Sequence, residues 1–218
     1  MNTNKNYKAN REYKSTVFSK LFGEDKENAL SLYNAVNGSN YTNVEDLTFT
    51  TLDDVVYMKM KMKNDVSFLF DKTLSLYEHQ STYNPNMPLR GFWYFADLYR
   101  QLIKDNERIY SKSIVKIPAP RYIVFYNGDK KDMPEQVKEL YLSDAFDMEV
   151  EPGRFEWTAT MVNINAGMNP ELLRRCKALG GYVTFVDKAR STQWSPRHNV
   201  AHPKLYLRKY LQGRSLNA

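Results

Sequence analysis

Residues 64–80, NDVSFLFDKTLSLYEHQ, set two short apolar runs either side of one charged pair, Asp71-Lys72. Runs rich in Val, Phe and Leu, broken by two polar residues, predict a β-hairpin with a two-residue loop. Phe70 then faces Thr73, and following the pairing outward brings Asp65 opposite Glu78. Side chains alternate along a strand, so Glu78 and Gln80 share a face with Asp65. Two carboxylates opposed across a strand pair repel each other, and burial sharpens the repulsion. A fold keeps such a pair when something positive lies between them. A hard divalent cation held by oxygen ligands is the usual resolution, with water and a substrate phosphate completing its shell. A longer loop would bring Asp65 nearer to Gln80, and the three polar groups stay neighbours either way.

The elements around this hairpin are those of a mixed α/β domain. Residues 16–22 and the run to Gly38 carry a helical stripe (Leu30, Leu32, Tyr33, Val36), and Asn37-Gly38 is a stop signal. Residues 53–63, DDVVYMKMKMK, alternate cleanly and predict one half-exposed strand, methionines to the core and lysines to solvent or to phosphate. Prolines at the start of PNMPLRGFWYFADLYRQLIKD suit a helix entrance, and Phe92, Phe95, Leu98, Tyr99 and Leu102 follow at helical spacing. On that helix the aromatic run Phe92–Phe95 reads as packing and not as a base-stacking platform. RYIVFYNG (121–128) predicts a buried strand and FEWTATMVNIN another, with EQVKELYLSDAF between them as a short helix or turn. PELLRRCKAL predicts a helix stopped by Gly180-Gly181, and GYVTFVDKAR is either a strand or a further helix.

Length and charge narrow the classes. With 218 residues, 42% of them apolar and 14% aromatic, the chain can bury a sizeable core, which excludes wholesale disorder. No apolar run approaches the roughly 18–20 residues needed to span a bilayer. The first residues carry no segment of signal-peptide type, and the single cysteine, Cys176, rules out an internal disulfide framework and suits a reducing cytoplasm. Cys176 lies among apolar neighbours on a helix and reads as a small buried residue. The net charge of +6 is unevenly spread. Residues 1–188 hold 25 basic and 25 acidic side chains, whereas Ala189–Ala218 hold six basic and no acidic ones. A basic tail on a neutral body either touches nucleic-acid phosphates or an anionic surface, or is simply solvated.

The spacing D-x12-E-x-Q, from Asp65 through Glu78 to Gln80, resembles the PD-(D/E)xK nuclease superfamily. The wider strings YMKMKMKNDVSFLF, LYEHQSTYNPNMPLRGFWYFADLY, YKSTVFSKLFG and KIPAPRYIVFYNG look specifically like the bacterial Rpn family of recombination-promoting nucleases and putative transposases. The resemblance covers roughly residues 13–190. It implies a core of a helix, a three-strand meander, a helix and a fourth strand, filling a domain over residues 1–188. It also implies cleavage of double-stranded DNA with Mg2+, or with Mn2+ or Ca2+ in its place. Asp65 and Glu78 stand at the metal-ligand positions, with the backbone carbonyl of His79 as a further ligand. Gln80 stands where the superfamily has its catalytic lysine. An amide can orient a water but cannot supply charge, so Arg90, with Lys14 or Lys20, is expected to provide the positive charge near the phosphate. Cutting both strands of a duplex would favour a homodimer in the cytoplasm, with no membrane partner.

Ser15 stands where family members carry an Asp. The end of the chain, 189–218, departs from the family's acidic, helix-rich continuation and reads as a truncation or frameshift. These departures keep a second expectation open: a catalytically weak or inactive nuclease fold that binds DNA or a protein.

Overall fold

The computed structural model describes residues 14–50, 55–57, 60–62, 64–103, 109–151 and 154–191. By its internal contacts Asn43–Asn163 form one compact unit, and the described residues before and after them form another.

The flanking unit is helical. Helix α1 covers residues 14–23 and α2 covers Lys26–Asn37. Asp25 caps α2, its Oδ1 accepting the Asn28 N–H at 2.9 Å, which satisfies one of the amides that a helix start leaves without a partner. The expected stop is there: Gly38 closes α2 at φ 67°, a left-handed conformation that favours glycine. Two further helices follow, α4 (Pro170–Arg175) and α5 (Lys177–Ser191), broken at Cys176, whose buried side chain matches its expected packing role. Phe18 packs against Phe22 and Tyr182 with ring centroids 4.9 and 5.8 Å apart, and Leu30, Leu32, Leu179 and Val186 are buried. The expected stop at Gly180-Gly181 is corrected, because α5 runs straight through it. A Cβ on Gly180 would lie 3.1 Å from the Leu173 carbonyl, so the glycine serves the close corner between α4 and α5. The buried stripe Leu179, Tyr182, Val183 and Val186 outweighs the low helix propensity of two glycines.

The central unit is a six-stranded mixed sheet in the order β1-β4-β5-β6-β8-β7, with helix α3 on one face. Its members are β1 (Thr48–Phe49), β4 (Val66–Phe70), β5 (Thr73–Gln80), α3 (Met87–Leu102), β6 (Ala119–Tyr126), β7 (Val137–Tyr141) and β8 (Thr158–Asn163). β1, β4 and β5 form an antiparallel meander; β6 runs parallel to β5 after the α3 crossover, and β8 runs parallel to β6. Leu74 and Leu76 of β5, with Tyr122, Val124 and Tyr126 of β6, meet Tyr94, Phe95 and Leu98 of α3 in one core. On the opposite face Phe68, Tyr77 and Phe125 stack edge to face at 5.3 and 5.6 Å.

Two expected elements change. The single strand over 53–63 is instead a small antiparallel pair, β2 (Val55–Tyr57) with β3 (Met60–Met62), inserted between β1 and β4. The short β1 takes the outer place in the meander, and the methionine and lysine side chains of 58–63 lie outside the described residues. EQVKELYLSDAF is a strand and not a helix or turn: β7 pairs antiparallel with β8, and a 3₁₀ turn follows at Leu142–Ala145. At the sheet edge Val137, Glu139 and Tyr141 face water while Leu140 is buried, so a charged segment still satisfies the strand alternation. GYVTFVDKAR is helical, and Ala189–Ser191 finish α5; the rest of the basic tail lies outside the described residues.

Candidate functional site

The β4–β5 hairpin turns through Asp71 and Lys72 with φ of 46° and 59°, a type I′ loop, and Phe70 pairs with Thr73 as expected. The ladder runs back to Val66 opposite Tyr77, one residue short of Asp65 and Glu78. At that point the chain leaves β4, and side chains replace the ladder. The Asp65 N–H donates to Glu78 Oε1 at 3.0 Å, and the His79 N–H donates to Asp65 Oδ2 at 2.8 Å. The Asp65 carboxylate thus takes the hydrogen bond that a continuing strand would have taken.

Alternation puts Glu78 on the face of Leu74 and Leu76, beneath α3, and leaves it only 2% exposed. Arg90, near the start of α3, reaches it with Nη2 3.1 Å from Oε2. The same nitrogen donates to the Tyr94 hydroxyl at 2.9 Å, and Nη1 lies 3.4 Å from Met87 Sδ. Residues 87, 90 and 94 are neighbours on one face of the helix, so α3 holds the guanidinium by its own side chains as well as through Glu78. The positive group beside Glu78 is therefore Arg90, which the sequence suggested for the phosphate.

Burial, and after it the charge of Asp65, push Glu78 up to about 8; Arg90 and the Asp65 N–H pull the other way. Burial opposes the charge on Arg90, but Glu78 and Tyr94 keep it firmly protonated. Tyr94 and Tyr122 are both raised by burial and then by the charge on Glu78. Tyr122, on the next strand, has a buried hydroxyl without a hydrogen-bond partner among the described residues. Sequence reasoning missed both tyrosines. The four-residue spacing from Arg90 to Tyr94 was a usable signal, whereas Tyr122 depends on the β5–β6 register, which pairs it with Leu76.

Gln80 ends β5 half-buried, its carbonyl accepting the Asn127 N–H at 2.8 Å. The His79 ring is buried on the far face, 5% exposed, while its carbonyl shares the strand edge of its N–H, toward Asp65. Asp65, Glu78, His79 and Arg90 are thus brought together. Lys14 and Lys20 belong to α1 in the other unit.

Among the described residues no group of three or more His, Cys, Asp or Glu side chains is arranged to hold a metal ion. Two carboxylates and a backbone carbonyl at one strand end are nonetheless hard oxygen donors. They fit a Mg2+-type ion, which is commonly held through one or two carboxylates and otherwise by water and phosphate. No helix among the described residues is long and apolar enough to cross a membrane. Comparison of the chain with protein-family models, with curated proteins and with solved structures found no match in any of the three.

Proposed function

We propose that the chain is a metal-dependent DNA endonuclease of PD-(D/E)xK type, of the kind found in the Rpn family, hydrolysing phosphodiester bonds of double-stranded DNA in recombination, transposition or defence. One observation carries this above all: the hairpin register that seats Asp65 beside a buried, strongly shifted Glu78 at the end of a central strand. The element order adds support: the resemblance implies a three-strand meander, a helix and a fourth strand, and β1, β4 and β5, then α3 and β6, follow in that order.

A Mg2+-type ion bound there supplies Lewis acidity and a water of lowered pKa. Asp65 and Glu78 hold it through carboxylate oxygens, with the His79 carbonyl on the same edge. Gln80 orients a water through its amide, and Arg90 offers the charge that an amide lacks. Lys14 and Lys20 are candidates for contacts to the DNA backbone. A homodimer acting in the cytoplasm would bring two such sites to one duplex.

A second reading, a nuclease fold that binds without cutting, is favoured by the engagement of both Glu78 oxygens within the protein. Nicking of supercoiled plasmid with Mg2+, Mn2+ or EDTA separates the two. Metal-dependent nicking by the wild type, abolished in Asp65→Ala and in Glu78→Ala, is expected. A folded wild type that binds plasmid but never nicks it leaves the binding module, and nicking that survives both substitutions places the chemistry elsewhere.

A further inference from the structure

Arg90 covers Glu78 from the solvent side: its side chain is 32% exposed and that of Glu78 only 3%. Glu78 Oε1 is already taken by the Asp65 N–H and Oε2 by the guanidinium. A dication cannot reach Oε2 while Arg90 remains there, because two positive centres on one carboxylate oxygen repel strongly in a site shielded from water. Arg90 need not be lost from the site when it lets go. Tyr94 holds the same nitrogen at 2.9 Å and Met87 borders the other, both from Arg90's own helix. The guanidinium also lies 5.6 Å from the Tyr94 ring, which gives it a resting surface.

Accepting Asp65 and Glu78 as metal ligands, we propose that Arg90 is an exchangeable partner of Glu78, occupying Oε2 until a divalent cation displaces it and then turning on its Tyr94 tether toward the phosphate of the substrate. The site thereby keeps a positive charge against Glu78 with or without metal. Metal entry becomes a competition in which Arg90 weakens binding of the free ion and, once displaced, meets the substrate.

Titration calorimetry of the full chain with Mn2+ tests this without any reading of activity. With the guanidinium gone, Glu78 Oε2 is open and no fixed cation beside it repels the incoming ion. Removing Arg90 therefore favours metal, and Arg90→Gln is expected to bind Mn2+ on the order of ten-fold tighter than wild type. Asp65→Asn should lose binding. Equal or weaker binding by Arg90→Gln, with loss in Asp65→Asn, overturns the exchange and leaves the metal ligands standing. No binding by wild type or Arg90→Gln removes the metal reading and the proposal with it. If Arg90→Gln does not fold, the wild type decides by nuclear magnetic resonance. The Arg90 side-chain N–H signals should move on titration with Mg2+, and signals unchanged at saturating Mg2+ overturn the exchange.

Discussion

Glu78 is ionised in an unfolded chain above its ordinary value of 4.5, but in the fold it keeps its proton up to about pH 8. Between those values the folded protein binds more protons than the unfolded chain. Stability from this group is then complete below about pH 4.5 and is lost as pH rises to about 8, at up to ~1.4 kcal/mol per pH unit. Glu78→Gln imitates the protonated side chain. It should therefore unfold at a higher temperature than wild type at pH 8, and show a smaller difference between pH 5.5 and pH 8. Thermal unfolding by circular dichroism at the two pH values checks this, and a variant as pH-sensitive as wild type would assign the dependence to other groups. That Asp65 and Glu78 come together was legible because it needs only strand alternation and a two-residue loop, although the ladder itself stops at Val66 and Tyr77. What answers the repulsion was not, since the Arg90–Glu78 pair requires the docking of α3 on β5.

Among the elements, α3 is seated by a glycine. A Cβ on Gly91 would fall 2.4 Å from Cδ1 and Cε1 of Tyr122 and 3.2 Å from the Trp157 indole nitrogen. Tyr122 is buried between helix and sheet, so its ring has little room to yield. Gly91→Ala gains helix propensity worth at most about 1 kcal/mol, whereas overpacking costs about 1–3 kcal/mol. Net destabilisation is expected, read as a lower midpoint of urea unfolding, and a raised midpoint would mean that the ring moves aside. The β4–β5 turn predicts the reverse sign. Lys72 sits at φ 59°, where a side chain is strained and glycine is not. Lys72→Gly should stabilise by up to about 1 kcal/mol in the same assay, unless the freedom it adds to the unfolded chain cancels the relief. The same turn explains why this hairpin could be read in advance while β7 and α5 could not. A two-residue loop is a local signal. An edge strand bearing Lys138 and Glu139, or a helix crossing Gly180-Gly181, is decided by partners distant in sequence.

At the scale of the whole molecule, sequence order and spatial grouping part company. The helices before Asn43 and those after Asn163 share one unit; there Arg175 Nη2 donates to the Ser39 carbonyl at 2.7 Å across 136 positions. No local pattern announces a contact of that reach. Charge, by contrast, is legible without a fold. The balanced 25 and 25 of residues 1–188 give the body no net attraction for DNA, whereas residues 192–218 carry Arg197, Lys204, Arg208, Lys209 and Arg214 with no acid among them. Each phosphate neutralised on duplex DNA adds about 0.9 to the slope of log affinity against log salt. If those five cations meet the backbone, a chain ending at Ser191 should bind duplex DNA more weakly at low salt, with a slope shallower by up to about 4.5. Fluorescence anisotropy over a salt series, with EDTA present so that cleavage does not intervene, measures both quantities at once. A slope unchanged by the truncation would put the phosphate contacts within residues 1–191 and make the basic end a solvated one, whatever becomes of the metal site.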